Sequence, residues 1–298
     1  MSTRYSDDVG LPKAAFRTPR ENFPVLSLAL DRSLRPGFAA VYTFCRASDD
    51  IADDPTRTRQ QRLDALRRWR DELDSTLDGR PKVPSMERLA EAIDRYDLPG
   101  RPFHRLLDAF EEDQVRIRYQ TSSELEHYAE RSANPVGELV LRLGGHRESS
   151  SDWHELIALS DATCTALQFV NFWQDVRRDL FELDRIYIPL GDVDISEQAL
   201  RQMAEEGATP SNERRYTAII EPLVTRTEVL MRGSMSLPDR ADARLAKPIR
   251  LFQSAGLLVG RRIRESGYRT LWNRPRVGRL SLIAMSLRTM LSPARGSS

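Results

Sequence analysis

Apolar residues along this chain recur at intervals of three and four, seldom of two. In "TRQQRLDALRRWRDELDSTL", residues 58–77, Leu63, Leu66, Leu73 and Leu77 fall near a 3.6-residue period among charges, which predicts an amphipathic outer helix. "LRPGFAAVYTFCRASDDIADD" carries Pro36 near a helix N-terminus and is closed by Pro55. Pro99 and Pro102 punctuate the entry to "FHRLLDAFEEDQVRIRY", read as helical over 103–119. Further helices are predicted from about Ser122, Pro135, Ser151, Ser211 and Arg240, with "GRPKVP" and "RIYIPLGDV" as loops. Period-two alternation is almost absent, and hairpin dipeptides reduce to Asp78-Gly79. No linker or repeat divides the chain. The expectation is one all-α domain over 20–277, with a loose lead at 1–19 and an amphipathic helix and tail at 278–298.

Composition narrows the classes. The 298 residues are 40% hydrophobic and 30% charged, a soluble globular balance. A formal net charge of +1 gives no basic face for nucleic acid. Cys45 and Cys164 have neither metal-ligand nor disulfide spacing and read as small apolar residues in a reducing compartment. No apolar run approaches the ~20 residues that span a bilayer. The N-terminus lacks a secretory core, so a cytoplasmic protein is expected. In "GRLSLIAMSLRTML", Leu280, Ile283, Leu287 and Met290/Leu291 share one side, flanked by Arg279 and Arg288. This helix either docks on the domain or lies on the inner face of the membrane.

Two stretches carry candidate chemistry. In "NFWQDVRRD" and the residues before it, Gln168, Asn171, Asp175 and Asp179 fall in a helical stripe about 80° wide. In the first segment Tyr42, Arg46, Asp49 and Asp53 share a face, with Asp50 and Asp54 beside them. Acidic clusters are commonly just solvated. These four aspartates, however, occupy the end of a helix, where the dipole disfavours each by about 0.3–1 kcal/mol and the i,i+4 pairs repel. A bound cation accounts for them better. Oxygen donors without clustered Cys or His suit Mg²⁺ shared with a phosphate, and Arg46 adds a phosphate donor. His104, His127, His146 and His154 are scattered and pair with no acid in a motif.

With "DDIAD" and "NFWQDVRRD" about 125 residues apart, the chain resembles the squalene/phytoene synthase family. Its N-terminal block "ENFPVLSLALDRSLRPGFAAVYTFCRASDDIAD", its central block "YAERSANPVGELVLRLGG" and "DRIYIPLGDV" follow in the family's order, over roughly residues 20–275. The resemblance implies a helical prenyl synthase fold with an apolar channel between the acidic helices. It assigns Mg²⁺ to Asp49, Asp53, Asp175, Asp179 and Asn171, and diphosphate to Arg46. Tyr128 matches the central-block tyrosine, and Gln168 a polar position upstream of the second motif. Phe23 and Tyr42 match channel-lining positions, and Asp113 an aspartate on the helix before the central block. Phe172 is a further candidate lining residue. The family's C-terminal basic residues align poorly, with Arg274 the position offered for them.

"SANPVG", together with "ENFP" and "NFWQD", makes the chain most similar to the bacterial hopanoid branch of the family. That branch implies Mg²⁺-dependent conversion of presqualene diphosphate and water to hydroxysqualene and diphosphate. Gln168 is then a candidate to position the water, and neighbouring hopanoid enzymes are implied partners. The rivals are head-to-head condensation of two prenyl diphosphates and, in another class, a non-catalytic assembly protein. Intact acids in both motifs argue against the last, because a scaffold has no need of their mutual repulsion.

Overall fold

The structure, a computed structural model, describes residues 30–275. Among them the chain forms α1 (Arg35–Ala52), α2 (Arg59–Leu77), α3 (Pro84–Tyr96), α4 (Gly100–Glu112), α5 (Ser122–Ser132) and α6 (Asn134–Leu143). There follow α7 (Trp153–Glu182), α8 (Glu197–Glu206), α9 (Pro210–Gly233), α10 (Leu237–Arg240) and α11 (Ala243–Glu265). The predicted all-α class holds. Phe23, the lead at 1–19 and the helix at 278–298 lie outside the described residues.

Local chemistry sets the ends. The Thr58 and Thr121 side chains each form a reciprocal capping box, with Gln61 opening α2 and with Glu124 opening α5. Asp53 caps α1, its N–H donating to the Asp49 carbonyl, and Pro55 then prevents continuation.

One predicted helix runs too long. The pattern extends it to 119, but α4 stops at Glu112, and Asp113 is its C-cap rather than a residue on the helix face. Residues 117–120 instead lie extended beside 186–192. Ile186 N donates to the Ile117 carbonyl at 2.9 Å, and Leu190 N to the Tyr119 carbonyl at 3.1 Å. Gly191 is needed here, because a Cβ on it would stand 2.9 Å from the Gln120 carbonyl oxygen. The β-branched and aromatic residues Ile117 and Tyr119 suit this extended path.

Buried apolar side chains form two clusters. One gathers α1–α4, α6 and the start of α7; the other gathers α5, the second half of α7, the 186–190 segment, α8 and α9. Helix α7 spans both, with Trp153 and Leu156 in the first and Phe172, Val176 and Leu180 in the second. The acidic end of α1 is backed by the first cluster (Ala47, Ile51, Ala52) and the acidic end of α7 by the second. The two motifs therefore meet where the clusters adjoin.

Gly137 lets α6 press against α7. An added Cβ would fall 2.3 Å from Ser160 Oγ and 2.7 Å from Cys164 Sγ. Gly137→Ala should therefore destabilise the protein by about 1–3 kcal/mol, the usual cost of overpacking. Thermal unfolding measures this, and an unchanged midpoint would contradict so close a helix contact.

Both cysteines behave as small apolar residues. Neither is in a disulfide, and burial pushes each thiol up to about 12.

Candidate active site

The last turns of α1 present Asp49 and Asp53, and the last third of α7 presents Asp175 and Asp179. After α7 the chain reverses at Asp184, which has a positive φ of 53°. It then returns as the extended 185–191 stretch, and Arg185 N donates to the Asp179 carbonyl at 2.8 Å. That hydrogen bond folds Arg185 back between the two acidic helices. Its Nη2 lies 3.2 Å from Asp53 Oδ1 and its Nη1 4.0 Å from Asp113 Oδ2. Arg185 is thus one nearly buried cation tied to α1, to the end of α7 and to the C-cap of α4.

The other cations sit outward. Arg46 is exposed and pairs with Asp49 at 2.8 Å and Asp50 at 2.7 Å. Arg274 grips both oxygens of Asp175, with Nη2 3.0 Å from Oδ2 and Nε donating to Oδ1. Arg178 stands 3.6 Å from Asp175 Oδ2. The C-terminal basic residue that aligned poorly is therefore on the second motif.

Negative charge still exceeds positive. Burial, reinforced by Asp53 and opposed by Arg46, pushes Asp49 up to about 6. Burial and then Asp175 push Asp179 up to about 7, and Asp53 across the cleft adds to the effect. Burial pushes Asp113 up to about 7 against the pull of Arg185 and the Tyr128 hydrogen bond. Arg185 meets the Asp53 carboxylate while its N–H holds the Asp179 carbonyl, so the two motifs lie against one shared residue.

This has a consequence for stability. All three pKa values are raised above the ordinary 3.8, so the folded chain holds these protons more tightly than the unfolded one. Their contribution is fully present below about pH 4 and is lost as pH rises through about 6 to 7. Calorimetry of metal-free protein should show the midpoint falling between about pH 4 and 7 and levelling off above that. A midpoint that climbs over that range would contradict this charge balance.

The remaining candidates divide. Tyr128 is buried, and its hydroxyl donates to Asp113 Oδ2 at 2.8 Å. Phe172 is buried and lies face to face with Tyr187, the ring centroids 3.9 Å apart. Tyr42 is half-buried on α1, one turn before Arg46. Gln168 is half-buried and Asn171 exposed, on α7 two turns and one turn before Asp175. Of the histidines, His104 meets Asp74, His127 Nδ1 meets the Ser123 carbonyl, and His146 accepts from Asp242 N.

Arg185, Tyr187 and Tyr119 are site residues that the sequence reading did not single out. The available signal for Arg185 and Tyr187 is "DRIYIPL", a loop and family block directly after the second acidic motif.

A family model described as squalene/phytoene synthase matches residues 16–282. The chain belongs to that family. It is 32% identical over 222 residues to the hydroxysqualene synthase of Zymomonas mobilis subsp. mobilis, covering 72% of this chain and 68% of the relative. It is 31% identical over 226 residues to the presqualene diphosphate synthase of Rhodopseudomonas palustris, covering 74% and 76%. Among solved structures, squalene synthase HpnC from Alicyclobacillus acidocaldarius matches with a TM-score of 0.73 at 36% identity, covering 83% of this chain and 89% of that one. In this squalene/phytoene synthase, both aspartate motifs are intact and are joined through Arg185.

Proposed function

We propose that the protein ionises presqualene diphosphate and directs water onto the rearranged cation, releasing hydroxysqualene and diphosphate. The carrying observation is the facing of Asp53 and Asp179 across Arg185. The relatives at 32% and 36% identity support the choice of reaction.

The donors suit a hard cation. They are oxygens only, and the raised Asp49 and Asp179 lack positive charge that a divalent ion would supply. Among the described residues no three His, Cys, Asp or Glu side chains converge to ligate an ion unaided. Mg²⁺ fits such a site, since it keeps several waters and takes one or two carboxylates plus phosphate oxygens. Asp49, Asp53, Asp175 and Asp179, with Asn171, would hold it. When bound, Mg²⁺ supplies Lewis-acid neutralisation of the leaving diphosphate. Arg46, exposed at the edge of the motif, can swing from Asp49 and Asp50 to donate to diphosphate oxygens. Arg185 pairs with Asp53 and holds its carboxylate in place. The rings of Tyr128, Phe172 and Tyr187 form a dry wall behind it, which limits capture of the cation by bulk water. In the calorimetry above, Mg²⁺ should raise the midpoint at about pH 8 and lose that effect near pH 5.5, where protons compete for the carboxylates.

A second reading, condensation of two farnesyl diphosphates, is favoured by the 31% identity to a presqualene diphosphate synthase. Supplying purified protein and Mg²⁺ with either substrate separates the two. We expect hydroxysqualene from presqualene diphosphate; product from farnesyl diphosphate alone would overturn the reading.

No helix among the described residues is long and apolar enough to cross a membrane. We place the protein in the cytoplasm, with residues 278–298 contacting the inner membrane face beside neighbouring hopanoid enzymes. Deleting 278–298 should abolish co-sedimentation with liposomes. Equal sedimentation of both forms would refute that contact.

A further inference from the structure

Two buried oxygens behind Arg185 have no part in holding diphosphate. Asp113 is 8% exposed and Tyr119 is 1% exposed. The Tyr128 hydroxyl occupies Asp113 Oδ2, whereas Asp113 Oδ1 and the Tyr119 hydroxyl have no hydrogen-bond partner among the described residues. Leaving such groups unsatisfied costs about 1–3 kcal/mol each, and buried water commonly satisfies them. The two groups are linked through Tyr128, whose ring packs on Tyr119 and whose hydroxyl meets Asp113. Tyr119 packs against Tyr128 at 5.6 Å and against Tyr187 at 5.7 Å between centroids. Burial and then the Asp113 carboxylate push the Tyr119 phenol well above its ordinary range, so it remains a protonated donor. On the far side of Asp113, Arg185 leads directly to Asp53 of the first acidic motif.

We infer that Asp113 and Tyr119 hold the water molecule that captures the carbocation. This assignment rests on the reaction proposed above. The Tyr119 hydroxyl donates to the water oxygen, and the water points one hydrogen at Asp113 Oδ1. The free lone pair of the water forms the new C–O bond. The O–H bond aimed at Asp113 breaks, its electron pair stays on oxygen, and the proton moves to Oδ1. A cation, a water and a carboxylate thus become a neutral alcohol and a carboxylic acid, with no other reactant. The aromatic rings around the pair restrict capture to this one water.

The test supplies presqualene diphosphate and Mg²⁺ to the wild type, Asp113→Asn, Tyr119→Phe and Gln168→Ala. It measures hydroxysqualene formed per diphosphate released, which is a ratio rather than a rate. The ratio should fall at least about tenfold in Asp113→Asn and Tyr119→Phe, with hydrocarbon or other alcohols taking its place. An unchanged ratio in either variant that still releases diphosphate overturns the assignment. So does loss of diphosphate release in Tyr119→Phe, which removes one oxygen and keeps the ring. A fall confined to Gln168→Ala moves the water to that residue and leaves the proposed reaction standing. A wild type that makes no hydroxysqualene overturns the reaction and this assignment together.

Discussion

Asp179→Asn should lower turnover of presqualene diphosphate by about 10²–10³-fold, the usual loss when one preorganised electrostatic element at a leaving group is removed. The same substitution should make the metal-free protein more stable. Asp179 is buried, and its carboxyl is pushed up to about 7 by burial, Asp175 and Asp53, so its ionised form is disfavoured at neutral pH. An amide of the same shape removes that repulsion, for a gain of roughly 2 kcal/mol and a midpoint higher by several degrees. Activity and stability moving in opposite directions is the signature of a charge kept for function. Steady-state diphosphate release and calorimetry at pH 7.5 measure the two effects. A lower midpoint together with near-normal turnover would make Asp179 an ordinary structural residue.

The larger effect on folding is expected at Arg185. Its guanidinium is nearly buried, and it is the cation that Asp53 and Asp113 share. Arg185→Met leaves two carboxylates facing each other around a lost partner. Breaking a buried pair in this way costs about 3–5 kcal/mol, which at this chain length is a midpoint lower by roughly 5–8 °C. Turnover should fall as well, because Asp53 loses the partner that holds its carboxylate in place. Arg185→Lys should rescue little. One ammonium cannot span oxygens that the planar fork meets at 3.2 and 4.0 Å on separate nitrogens. Wild-type stability in Arg185→Met would mean that the acids have some other source of neutralisation.

The contrast between Asp179 and Arg185 also shows what a linear reading can reach. Asp49, Asp53, Asp175 and Asp179 were legible because they break a local rule, placing acids at a helix end or on a largely buried helix without local benefit. Arg185 and Tyr187 break no local rule. Their roles come from main-chain pairing of 186–192 with 117–120, a contact between segments far apart in sequence. The same pairing explains why the helix expected over 103–119 ends at Glu112. Apolar residues at 110, 115, 117 and 119 continue the pattern, but long-range hydrogen bonds override it. Asp113 was found by resemblance and set on a helix face. At the C-cap it turns inward to Tyr128 and Arg185 instead. Phe172 is legible only as a lining residue, because its stacking on Tyr187 depends on how 186–192 pairs with 117–120.

The central claim is that water, not a second prenyl group or a hydride, ends the reaction at the site between α1 and α7. The direct measurement is to incubate the protein with Mg²⁺ and presqualene diphosphate in ¹⁸O-water and to identify the product by mass spectrometry. The account predicts hydroxysqualene carrying one ¹⁸O atom. Unlabelled alcohol, which would retain the substrate's own ester oxygen, or the absence of any C30 alcohol would contradict it.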